Sequence, residues 1–131
     1  MERLRLLISL VALAIPPMSG ALAQDWAPGE KLTLQHCGRC HVINERNRTG
    51  GIGSTPSFGA LRTLDDWEAR IRGFYALAPH PAFTQVVGIT DPFALDRPSP
   101  IHPVELTQDD LEIITEFTRT VAPKDLGGPV Q

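Results

Sequence analysis

The stretch that most constrains this chain is His36-Cys37-Gly38-Arg39-Cys40-His41: two cysteines separated by two residues, with a histidine directly behind the second. They are the only two cysteines in 131 residues, so whatever joins them decides what a small core must be built around. A disulfide between Cys37 and Cys40 closes a very short ring, contributes little stability, and serves mainly as an exchangeable redox pair. That use calls for a thioredoxin-like βαβ pattern, and no alternating apolar strands stand beside the motif. A zinc site takes four ligands, usually from a second paired set, whereas the other histidines are scattered singly.

The N-terminus sets the compartment. Arg3 and Arg5 precede an apolar run over residues 6–15, Pro16 and Pro17 break it, and Ala21-Leu22-Ala23 has the small-x-small form of a signal-peptidase site. Residues 1–23 are predicted to be a cleaved signal peptide and residues 24–131 one domain delivered to the periplasm. The apolar run is shorter than the roughly 20 residues that cross a bilayer, so no stable membrane span is expected after cleavage. Without Arg3, Arg5 and Glu2 the domain keeps ten basic and fourteen acidic side chains, a balance that speaks against nucleic acid. A domain of this size has a marginal core, and a large apolar cofactor would help it bury surface.

Covalent haem uses every residue of the motif. On the first turn of a helix the Cys-x-x-Cys spacing lets both thiols reach the two vinyl groups of one porphyrin, and His41 is directed at the iron from the same side. The export signal agrees, since such attachment takes place outside the cytoplasm. Cys37 and Cys40 are therefore the predicted covalent attachment points of one haem c, and His41 the predicted proximal iron ligand.

The frame around the motif reads as helical. Residues 28–35 form a short helix with Pro28 in its first turn. Thr63 and Asp66 make a capping-box-like start, followed by Trp67, Ile71, Phe74 and Tyr75 at helical spacing, with Pro79 as the stop. Thr107 and Asp110 repeat the device ahead of Leu111, Ile114, Phe117 and Val121, nearly one apolar stripe. Residues 42–62 and 79–106 lack a helical period and are expected to be loops. The predicted fold is all-α: three main helices wrapped with long loops around one covalent haem.

With these features the chain resembles the small class I monohaem cytochromes c. Residues 29–37 are similar to that family's N-terminal helix, where a glycine and an apolar residue cross the C-terminal helix, and Phe117 stands where the family has its helix-crossing aromatic. The resemblance implies a cytochrome c-like domain over most of the mature chain, except residues 79–106. It implies that the Pro56 carbonyl accepts a hydrogen bond from the second ring nitrogen of His41, fixing its tautomer and strengthening it as a donor. It also implies that Trp67 donates to a haem propionate and that Tyr75 lies in the distal pocket.

The family's usual sixth ligand, a methionine, has no counterpart. Met1 and Met18 are the only methionines and both fall in the leader, which puts the high potential that Met/His ligation confers in doubt. His36 lies on the attachment side. His80 sits between Pro79 and Pro81, and His102 between Ile101 and Pro103, so three outcomes stand: His80, His102, or an open or water-bound site. The double proline restraint favours His80, because a preorganised ligand loses less entropy on binding.

The function expected is one-electron transfer between redox partner proteins, with no catalysis, since no substrate constellation competes with the haem. The alternative is binding or sensing of a small ligand such as nitric oxide or carbon monoxide at an open iron. Six arginines (Arg39, Arg46, Arg48, Arg62, Arg70 and Arg72) against four acids in residues 39–72, and five acids without a base in residues 105–116, suggest a haem edge less acidic than the back.

Overall fold

A computed structural model describes residues 27–127; the predicted signal peptide lies outside the described residues. Four short helices, α1 (Pro28–Cys37), α2 (Phe58–Leu61), α3 (Trp67–Arg72) and α4 (Gln108–Thr120), are joined by single turns of 3-10 helix at Glu45–Asn47, Phe74–Ala76 and His80–Ala82. Two strands, β1 (Thr84–Val86) and β2 (Val104–Leu106), lie between α3 and α4.

The frame is the crossing of α1 and α4. Pro28 starts α1 where a missing N–H has no helical partner to lose. A Cβ on Gly29 would stand 2.8 Å from Phe117 Cβ and 3.2 Å from the Ile113 carbonyl oxygen, so the two helices meet where no side chain fits between them. Thr33, wholly buried in the crossing, donates its hydroxyl to Gly29 O at 2.7 Å. Helix α4 begins with a true capping box: Thr107 Oγ1 accepts from Asp110 N and Asp110 Oδ2 accepts from Thr107 N. Such a cap contributes about 1 kcal/mol. Leu111 and Ile114 face inward as the stripe predicts. Thr115 and Thr118 join them, each hydroxyl turned back onto the carbonyl four residues earlier so that no polar group is left bare.

The core contains Ile43, Phe58, Ile71, Val86, Leu106, Leu111 and Ile114. Each such side chain contributes roughly 1.5–3 kcal/mol by leaving water. It draws on α2, α3, α4 and both strands, with Leu32 and Leu34 of α1 packed against it.

The expectation of an all-α domain with three main helices is overturned. Strands β1 and β2 pair in parallel, Thr84 beside Val104, Gln85 beside Glu105 and Val86 beside Leu106, so the fold is four short helices with a two-stranded parallel sheet. The pairing continues at both ends, where Val104 N donates to Phe83 O at 2.8 Å and Val87 N to Leu106 O at 2.9 Å. Strands of three residues are too short to show a period of two, and the prolines around them read as loop. They form because Thr84, Val86 and Val104 are β-branched and because Val86 and Leu106 reach the core.

The middle helix also departs from its predicted form. Thr63 Oγ1 donates to Ala60 O at 2.7 Å and caps nothing after it. Helix α3 stops at Gly73, a poor helix former, and Phe74 and Tyr75 continue in a 3-10 turn.

Candidate functional site

Helix α1 delivers the motif at its C-terminal end. Cys37 is its last residue, and the chain keeps turning, with Cys40 N and His41 N both donating to Cys37 O at 3.1 and 2.9 Å. Cys37, Cys40 and His41 thus occupy consecutive points of one turn, and both cysteines are free thiols. Burial pushes the Cys37 thiol up to about 12, with the nearby Cys40 adding to the effect. Among the described residues, no three His, Cys, Asp or Glu side chains converge as a metal-holding cluster.

The loop behind the motif is tied to it by backbone and short side chains. Gly51, at φ +77°, lies so close that a Cβ would meet Val42 N at 2.9 Å and the His41 carbonyl carbon at 3.0 Å. Ile52 N donates to Cys40 O at 2.9 Å, and Thr55 Oγ1 reaches the same carbonyl. Phe58 N donates to Val42 O at 2.9 Å. Asn47 bridges from the other side, with Nδ2 donating to His41 O at 3.1 Å and Oδ1 accepting from Ile43 N at 2.7 Å. This belt sets the Pro56 carbonyl 2.7 Å from His41 Nδ1. The ring is thereby held as the Nδ1–H tautomer, with Nε2 left as its acceptor or metal donor. Phe58 closes one side of it edge-on, ring centres 5.8 Å apart.

Opposite stands His80. Its ring is nearly parallel to that of His41, 10° between planes and 6.1 Å between centres. His80 Nδ1 lies 2.9 Å from Leu77 O across one turn, so this ring too is left with Nε2 free. Phe74 meets it edge-on at 5.0 Å and Phe83 at a tilt at 5.7 Å. Burial, the largest influence, holds the imidazole below its ordinary range, outweighing the Leu77 carbonyl.

The remaining predicted residues lie in different surroundings. His102 is exposed, its Nδ1 3.1 Å from Pro103 O. Trp67 packs against the core with its ring face under two guanidiniums, Arg62 at 4.2 Å and Arg119 at 5.4 Å. Tyr75 is half-buried and edge-on to Phe74 at 6.4 Å; Phe74, not Tyr75, touches His80. Arg72 pairs with Glu112 and Glu68, Arg119 with Glu68, Arg70 with Asp66, and Arg46 with the buried Glu30.

Sequence reasoning missed Asn47, the Leu77 carbonyl, Phe74 and Phe83 as members of the site. Thr84, in β1, carries the one buried side-chain polar atom without a hydrogen-bond partner among the described residues.

These residues fit a haem. The thiols and His41 share a turn, and His41 has its ring nitrogen fixed by a carbonyl. Comparison with protein-family models, with curated proteins and with solved structures finds no match for this chain.

Proposed function

We propose that this protein is an exported one-electron carrier with a single covalent haem c on Cys37 and Cys40. The observation that carries the proposal is His41, set on the same turn as both thiols with Nδ1 held 2.7 Å from Pro56 O. The bound haem supplies a one-electron iron couple. The chain's part is to hold the porphyrin by two thioethers, to offer His41 Nε2 on a fixed axis, and to keep the ring from turning by the Pro56 carbonyl. Phe58 packs edge-on against that ring. The partners are other redox proteins, and the predicted leader places the work in the periplasm, where haem attachment can occur.

Denaturation after expression with a cytochrome maturation system tests this directly. Haem stays on the wild-type chain, and Cys37→Ala or Cys40→Ala retains at most one thioether bond. Haem extracted intact from the wild type would overturn the reading.

A further inference from the structure

The ring of His80 is the second feature of the site that needs a cause. Parallel aromatic rings often lie 4.5–7 Å apart, so separation alone does not distinguish a core contact from a pair of ligands. Three further facts do. First, the two ring planes are only 10° apart, with 6.1 Å between ring centres. Second, both rings have Nδ1 within hydrogen-bond distance of a backbone carbonyl, Pro56 O at 2.7 Å and Leu77 O at 2.9 Å, which leaves each with an Nε2 lone pair. A carbonyl behind a ligating histidine is the usual means of fixing tautomer and orientation, and here it occurs twice. Third, Phe74 and Phe83 pack on the His80 ring, and Pro79 and Pro81 flank its backbone, so little freedom remains to be lost on binding.

We infer that His80 Nε2 is the sixth ligand of the haem iron, opposite His41, giving a bis-histidine centre with parallel imidazole planes. The inference rests on the haem reading and sharpens it. An iron closed on both faces transfers electrons without binding exogenous ligands, which disfavours gas sensing. Replacement of the usual thioether by an imidazole lowers the midpoint potential, since methionine ligation is what raises it. His102, exposed and bonded beside Pro103, has no part in the centre.

The test is spectroscopic. Wild-type holoprotein should be six-coordinate and low-spin, with a rhombic ferric paramagnetic resonance signal, because parallel imidazole planes interact with the same iron d orbital and split the set. His80→Ala should turn high-spin and gain carbon monoxide binding in the ferrous form, and added imidazole should restore the low-spin spectrum. His80→Met should remain low-spin with a higher midpoint potential, which covers the case in which the alanine variant fails to fold. His102→Ala should leave every spectrum unchanged. A wild type that carries covalent haem but is high-spin overturns the His80 assignment alone, as does a low-spin His80→Ala or a His102→Ala that opens the iron. A wild type that matures without covalent haem overturns the functional reading, and the His80 assignment falls with it.

Discussion

His41 and His80 present near-parallel rings, yet the segments that carry them are built differently. Around His41, residues 40–58 bond to each other through backbone groups: Ile52 N and Thr55 on Cys40 O, Asn47 on His41 O, and Phe58 N on Val42 O. Around His80, one 3-10 turn, two phenylalanine rings and flanking prolines do the positioning. Beyond it, residues 87–103 run out over the surface between the two strands, with Val87 69% and Leu95 103% exposed. The first arrangement is specified by direction, since a hydrogen bond fixes angle as well as distance. The second is specified by shape and stiffness. Damage to the first should cost fold stability, and damage to the second should release a ligand from a domain that stays folded.

The sharpest comparison uses two glycines. Gly51 and Gly88 both have positive φ, +77° and +79°, so an added Cβ strains either by about 1–2 kcal/mol. At Gly51 the Cβ also meets Val42 N at 2.9 Å, a backbone atom, whereas at Gly88 it meets the far end of Gln108 at 3.3 Å, which can swing away. Gly51→Ala should therefore destabilise the holoprotein by about 3 kcal/mol or more, and Gly88→Ala by about 1–2 kcal/mol. Denaturant unfolding monitored by haem absorbance measures both. Equal losses would break the contrast between the two segments.

Next come the side chains that tie each segment. Asn47 serves His41 O, Ile43 N and Asn44 N, and Asn47→Ala should cost about 2–3 kcal/mol. Thr90 Oγ1 accepts from Val86 N at 2.9 Å, and Thr90→Val should cost about 1 kcal/mol. The same unfolding measurement applies, and a Thr90 loss as large as that of Asn47 would show the distal side to be hydrogen-bonded into place as firmly as the proximal one.

This difference also explains what was legible in the sequence. The proximal half announced itself: Cys37, Cys40 and His41 are fixed in spacing, and the resemblance led to Pro56, whose carbonyl lies beside His41. The α1–α4 crossing was readable from Gly29 and Phe117, because a missing Cβ and a large ring at a helix contact leave a sequence mark. The distal half was not. Strands of three residues have no detectable period, and their partners are brought together by burial of Val86 and Leu106, a tertiary effect. The Leu77 carbonyl is backbone and has no side-chain signature at all. His80 and His102, each beside proline, are nearly alike as local sequences; only the path of the chain sets one beside His41 and the other at the surface.

A smaller effect is expected from the rings that hold His80. Phe83→Leu keeps most of the apolar volume and should cost less than about 1.5 kcal/mol. It removes a ring contact 5.7 Å from the His80 centre, so exogenous ligands such as cyanide should bind the ferric protein faster by displacing His80. Stopped-flow mixing measures the rate. A large stability loss without faster binding would mean that Phe83 supports the fold and not the histidine.

The smallest effect belongs to the loop that leads away from the site. Phe93, Leu95, Pro98 and Ile101 line an open hollow of about 310 Å³, and Leu95 itself is fully exposed. An exposed leucine leaves no apolar surface to recover on unfolding, so Leu95→Ser should change stability by no more than about 0.5 kcal/mol and leave the haem spectrum untouched. Thermal unfolding and the absorption spectrum check this together. A loss above about 1 kcal/mol would show that residues 87–103 pack down onto the domain. The segment after His80 would then be specified by buried contacts as closely as the segment after His41 is by hydrogen bonds, and the two sides of the site would differ in the kind of restraint but no longer in its strength.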